Sequence, residues 1–155
     1  MPKHSAGLLM YRRGNRHLEI FLVHPGGPFW RKKDAGAWTI PKGEYLVDEP
    51  ALIAAQREFQ EETSFVAKGE FIALGEVTQS SGKIVSAWAF EGDCDPAKVK
   101  SNTCEVEWPP RSGRIITIPE VDQGAWFSPE EAQEKMFKAQ LPFLDRLERA
   151  LRQRS

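Results

Sequence analysis

The stretch from 48 to 63 constrains this chain more than any other. Leu52, Ala55, Phe59 and Thr63 recur at helical spacing and define an inner face. The segment therefore predicts a helix over 48–63, with Asp48 as its cap and Pro50 in the first turn, where a missing N–H costs nothing. Toward its end the sequence reads Arg57-Glu58-Phe59-Gln60-Glu61-Glu62. Glu58, Glu61 and Glu62 then fall on one face at i, i+3 and i+4, and Arg57 stands one turn before Glu61, within pairing reach.

That cluster is costly for a helix. Like charges at these spacings destabilise by about 0.2–0.5 kcal/mol per pair. The same turns carry the negative end of the helix dipole, which disfavours anions. A helix shaped for stability alone would carry lysine or arginine here. A solvated acidic face is the plain alternative. Bound divalent cations would reverse both penalties, and ligands that are all oxygen suit hard ions, Mg²⁺ first and Mn²⁺ second.

The rest of the chain predicts a mixed sheet covered by helices, an α/β fold. Segments 5–12 and 19–23 read as strands separated by a polar turn containing Gly14 and Asn15. Pro25-Gly26-Gly27-Pro28 must be a loop, continued by Arg31, Lys32, Lys33 and Asp34. A short strand is expected over 38–40, and two more over 71–77 and 84–90, joined through Ser80-Ser81-Gly82. The proline-bearing stretch 94–113 reads as irregular, 114–118 as a strand and 129–136 as a helix capped by Ser128. The last helix, 141–152, places Leu144, Leu147 and Leu151 on one side.

A length of 155 residues suits a single domain spanning 1–155. With 21 basic and 22 acidic side chains the net charge is −1, which excludes a general nucleic-acid binder. The longest apolar run, 6–11, is far too short to cross a bilayer. Arg12 and Arg13 follow that run instead of preceding it, unlike a signal peptide, so a cytoplasmic protein without membrane contact is expected. Cys94 and Cys104 lack metal-ligand spacing and are expected as reduced thiols.

The full pattern around the acidic helix is longer than the helix. Gly43 is followed by five residues, Glu49, seven residues, Arg57-Glu58-Phe59, one residue, Glu61-Glu62, one residue, Ser64 and Phe65. This resembles the Nudix box, the signature of the Nudix hydrolases. Ser64 departs from the family pattern, which has glycine there. The stretches Trp38-Thr39-Ile40-Pro41-Lys42-Gly43 and Trp126-Phe127-Ser128-Pro129-Glu130-Glu131-Ala132 also resemble family segments, before the box and late in the chain.

The resemblance implies an α/β/α sandwich with a mixed β-sheet. It implies hydrolysis of a nucleoside diphosphate linked to another group, a dinucleoside polyphosphate or a nucleoside triphosphate among them. By position, Glu58 and Glu62 would be metal ligands, Glu61 a ligand or general base, and the Gly43 carbonyl a further ligand. The absent side chain of Gly43 would permit close approach and unusual dihedrals. Arg57 would orient the carboxylates, with Glu49 as its partner or as the holder of a metal-bound water. A base outside the box would come from Glu120 or Asp122. For the small phosphorylated substrate, Lys42, Arg31, Lys33 and Arg114 are candidate phosphate contacts and Trp30 a candidate stacking surface. Ser64 in a left-handed helix end would cost about 1 kcal/mol, so replacing it by glycine is expected to raise stability. A noncatalytic nucleotide-binding Nudix domain is the alternative, and monomer and homodimer are equally compatible with the sequence.

Overall fold

The computed structural model describes residues 3–14 and 17–154. Six strands form a mixed sheet, and the central one is β1 (His4–Gly14). Residues 5 through 11 of β1 are all buried, because helices cover both faces of the sheet. This explains why the segment reads as a continuous apolar run instead of an alternating one. Leu8 and Met10 point to one layer, and Leu9 and Tyr11 to the other.

One edge of β1 is shared. Its far end pairs antiparallel with β2 (His17–Pro25), from Tyr11↔Ile20 to Gly14↔His17. Its near end pairs antiparallel with the three-residue β3 (Lys42–Glu44), including Ala6↔Gly43. Between them the segment leading into β3 is wedged in, with Leu8 N–H donating to the Pro41 carbonyl at 3.1 Å and Thr39 bridging Val23. The wedge brings Lys42 and Gly43 into the middle of the sheet. Buried Gln140 pins it from beneath: its side-chain carbonyl accepts from Ile40 N–H at 3.1 Å and its amide donates to Thr39 Oγ1 at 2.8 Å.

After the wedge comes α1 (Ala51–Thr63), lying on the Ala6, Leu8 and Met10 face with Ala54, Ala55 and Phe59 packed inward. Next come β4 (Ile72–Thr78) and β5 (Ile84–Glu91), an antiparallel pair whose second member runs parallel to β1 along its length. β6 (Thr103–Glu107) and β7 (Ile115–Pro119) form a separate two-stranded sheet. The chain then returns through β8 (Val121–Phe127), antiparallel to β2 at the sheet edge. Two helices, α2 (Pro129–Lys135) and α3 (Leu141–Gln153), close the opposite face. Phe143, Leu144, Leu147 and Leu151 of α3 are buried there. The layers are therefore helix, mixed sheet and helices, an α/β/α arrangement.

Several expectations need correction. The stretch 94–113 is not irregular throughout, since β6 lies within it. Alternating half-burial and a proline-rich neighbourhood hid that strand. Trp38 and Thr39 make isolated bridges instead of a strand over 38–40, because the wedge is held by single contacts on each side. Asp48 does not cap α1: Pro50 occupies the cap position and makes no side-chain bond. Ser128 caps α2 as expected, in a reciprocal box with Glu131. Asn15, expected in the first turn, lies outside the described residues. No helix among the described residues is long and apolar enough to cross a membrane. Cys94 and Cys104 are free thiols, and burial pushes Cys94 up to about 11.

Candidate active site

Glu58, Glu62 and Glu120 bring carboxylate oxygens within 4.8 Å of one another. At an effective dielectric of about 20, two ionised carboxylates at that separation repel by roughly 3–4 kcal/mol. Burial adds to the penalty, because Glu58 and Glu62 are each 8% exposed. Burial pushes Glu62 up to about 8; Lys42 opposes the shift, and Glu58 and Glu120 add to it. Glu58 is also raised, by burial first and Glu61 next, with Arg57 pulling the other way. Burial and Glu61 raise Glu120. A set of buried oxygens crowded in this way fits a hard divalent cation.

Each member arrives by a different route. Glu58 and Glu62 stand one turn apart on the inward side of α1, continuing the stripe begun by Ala54. Glu120 comes from the junction between β7 and β8. The segment 100–102 ties the two together. Its Lys100 and Asn102 N–H groups donate to the carbonyls of Thr63 and Glu61, at 3.3 and 2.9 Å. The Asn102 carbonyl accepts from Glu120 N–H at 3.0 Å, and Ser101 Oγ accepts from Val121 N–H at 3.0 Å.

Ser64 takes part in that tie. It occupies the left-handed C-cap with φ 72°, and its N–H donates to the Gln60 carbonyl at 2.8 Å. Its hydroxyl donates to the Lys100 carbonyl. The serine thus gains a bond that glycine would lack.

Gly43 meets its neighbour closely. A Cβ there would stand 2.1 Å from the Glu58 carboxyl carbon, so only a bare Cα leaves room for that side chain. The expected unusual dihedral is absent, because Gly43 is not among the positive-φ residues and lies in the β1–β3 ladder. Close approach alone requires the glycine.

Arg57 binds three carboxylates at once. Its Nε and Nη2 donate to both oxygens of Glu49, at 3.0 and 2.9 Å. Its Nη1 donates to Glu58 at 2.9 Å and to Glu61 at 3.2 Å. Glu49 holds the guanidinium above its usual range and is itself lowered by the same bond. Glu61 sits on this outer network, half-exposed, and is not one of the three converging oxygens. Lys42 faces inward: its N–H donates to Glu62 at 3.3 Å, and burial pushes its ammonium down.

The other expected residues divide between two neighbouring clefts. One, of about 500 Å³, is lined in part by His24, Arg31, Lys32, Lys33 and Asp122. The other, of about 430 Å³, brings Arg31 and Arg114 together with Trp108 and Asp122. Trp30 lines neither cleft. Its ring packs edge-on to Phe29 and against Phe137, centroids 4.9 and 5.4 Å away, and Lys33 Nζ lies 3.6 Å above Phe29. Trp108 is the aromatic residue lining the second cleft, and no periodic spacing marks it in the sequence.

His24 joins the cleft wall to the sheet. Buried at 6% exposure, its Nδ1 lies 2.9 Å from Asp122 Oδ1 and its Nε2 lies 2.6 Å from the Lys33 carbonyl.

Comparisons with known proteins place the chain in a family. The family model described as NUDIX domain matches residues 1–147. A C. elegans Ap4A hydrolase binary complex superposes with a TM-score of 0.69 at 21% identity, covering 97% of this chain and 98% of that one. The NUDIX domain of Shewanella oneidensis NrtR complexed with ADP ribose gives 0.66 at 15% identity, covering 97% and 89%. A mutT/nudix family protein from Listeria innocua gives 0.65 at 19% identity, covering 99% and 97%. No curated protein matches. The chain belongs to the Nudix family, the pyrophosphohydrolases whose signature it carries from Gly43 to Phe65.

Proposed function

We propose that this protein is a divalent-metal-dependent hydrolase of a pyrophosphate bond in a nucleoside diphosphate linked to another group, with dinucleoside polyphosphates and nucleoside triphosphates as first candidates. The convergence of Glu58, Glu62 and Glu120 within 4.8 Å carries this reading. Glu58, Glu62 and the Gly43 carbonyl would hold Mg²⁺, or Mn²⁺ in its place, with Glu120 completing the oxygen set; a bound ion would supply charge neutralisation and a more acidic water. Glu61, on the outer network, takes the proton of the attacking water. As the new P–O bond forms, the bond to the bridging oxygen breaks, and that oxygen leaves with the second phosphate. Arg57 keeps Glu58 and Glu61 oriented through its fork. Lys42 balances the charge of Glu62, while Arg31, Lys33 and Arg114 offer cations to the polyphosphate.

The substrate class has support from two proteins of like fold, one named as an Ap4A hydrolase and one complexed with ADP ribose. Both compounds contain a nucleoside diphosphate. The free thiols support a reducing compartment such as the cytoplasm. The chain acts as one domain over 1–155, as monomer or homodimer.

The test is incubation with Mg²⁺ or Mn²⁺ and a panel of nucleoside diphosphate derivatives. Metal-dependent cleavage that disappears in Glu62→Gln supports the enzyme. Tight nucleotide binding without turnover across the panel would instead identify a noncatalytic nucleotide-binding domain.

A further inference from the structure

We propose that the 430 Å³ cleft between the loop after β2 and the β6–β7 hairpin receives the nucleoside end of the substrate, with Trp108 as the platform for the base. This rests on the pyrophosphohydrolase reading and adds which surface reads the nucleoside. The volume falls within the range of small-molecule sites.

The cleft has a polar side and an apolar side. Arg31 and Arg114 are both exposed and line the same space. Among the described residues, neither guanidinium has a carboxylate or carbonyl partner. Two unpaired guanidiniums across one cleft suit a phosphate, which each binds through a planar fork. Trp108 is half-buried. Its backbone is fixed by donation from its N–H to the Arg114 carbonyl at 2.9 Å. Its ring pairs with no other aromatic ring among the described residues. Pro28 and Ile116 supply the remaining apolar wall.

Asp122 gives the cleft a direction. Its carboxylate, held by His24, is the acid lining this cationic space. It suits the hydroxyl or amine of a nucleoside and repels a phosphate. The phosphate therefore lies toward the arginines, and the base lies on Trp108.

The position relative to the carboxylates also fits. Asp122 lies two residues after Glu120, so their Cα atoms are at most about 7 Å apart. The loop is tied to the same junction, with Gly26 N–H donating to the Glu120 carbonyl at 3.0 Å. The cleft and the proposed metal centre thus draw on the same short junction, through Asp122 and Glu120.

Two measurements test this. The first compares steady-state hydrolysis of the nucleotide panel with hydrolysis of inorganic tripolyphosphate, in the parent protein, Trp108→Ala and Trp108→Phe. The expected result is a KM about ten-fold higher in Trp108→Ala for nucleotides, with kcat and the tripolyphosphate KM nearly unchanged, and recovery in Trp108→Phe. Trp108→Leu, which keeps apolar bulk, replaces the alanine variant if that variant fails to fold. The second measurement is calorimetric titration of the Mn²⁺-treated protein with AMP, GMP, CMP and UMP, where the same substitution should weaken binding about ten-fold. This reading is independent of turnover, so it judges the cleft even if no panel compound is cleaved and the hydrolase assignment fails. An unchanged nucleotide KM together with unchanged or absent monophosphate binding would overturn the proposal. An equal loss on tripolyphosphate would overturn it too.

Discussion

The Glu58 carboxylate rests directly on the backbone of Gly43, where a Cβ would stand 2.1 Å from the carboxyl carbon. Gly43→Ala must therefore push Glu58 away from Glu62 and Glu120. The expected result is a 10- to 100-fold loss of Mn²⁺ affinity, on the order seen when groups that orient metal ligands are removed. Mn²⁺ titration followed by electron paramagnetic resonance measures it. Affinity within two-fold of the parent would show that Glu58 is not a ligand.

Crowding of the three acids makes the metal-free protein sensitive to pH. Glu62 is raised from an ordinary 4.5 to about 8 in the folded chain. Between those values the folded state binds more protons than the unfolded state, so stability is greatest at the low end and falls as pH rises. Glu58 and Glu120 are shifted in the same direction. Melting temperature without metal should drop from pH 5 to pH 8, and Glu62→Gln should flatten the slope. Adding Mg²⁺ should restore most of the stability at pH 8, because the ion binds the deprotonated acids. A flat profile in the metal-free parent would contradict this account.

Arg57 acts through fork geometry as well as charge. Arg57→Lys keeps the cation but cannot grip both oxygens of Glu49 while reaching Glu58 and Glu61. Arg57→Lys and Arg57→Ala should therefore both lose about 10- to 100-fold in kcat, with little difference in nucleotide KM. Full activity in the lysine variant would reduce Arg57 to a counter-charge.

Ser64 changes meaning once its hydroxyl is located. The left-handed conformation costs about 1 kcal/mol, and the bond to the Lys100 carbonyl returns a similar amount. Ser64→Gly should therefore be close to neutral in a urea melt, not stabilising as the sequence suggests. Ser64→Ala keeps the conformational cost and loses the bond, so it should destabilise by about 1 kcal/mol. A glycine variant more stable than the parent by the full 1 kcal/mol would show that the hydroxyl bond contributes nothing.

Much of the architecture was legible from the residues. The box fixed the helix with its acids, and apolar spacing marked α3. The structure shows Glu58, Glu61 and Glu62 on one helix, but it separates Glu61 from the other two. Sequence spacing could not reveal that, because i+3 and i+4 neighbours share a face and the converging pair is selected by Glu120, which arrives from a distant segment. Glu120 stood out in the sequence, with Asp122, as a candidate base outside the box, but no spacing placed it beside Glu58 and Glu62. Its convergence depends on bonds from residues 100–102, mostly backbone, which carry no recognisable sequence pattern. Trp30 and Trp108 both fall in stretches without periodic spacing, and only their neighbours distinguish them. Phe29 and Phe137 occupy the ring of Trp30, while Trp108 faces a cleft.

The β6–β7 hairpin is a sheet of its own, joined to the main sheet by chain connections and not by a strand ladder. Insertions, deletions or exchanged residues along that arm leave the hydrogen bonding of the central strands intact. The arm that lines the nucleoside cleft can thus diverge quickly while the acids beneath it stay put. Closely related chains would then share one chemistry and differ in diet, and grafting a foreign hairpin between residues 103 and 119 becomes a direct route to retargeting the protein.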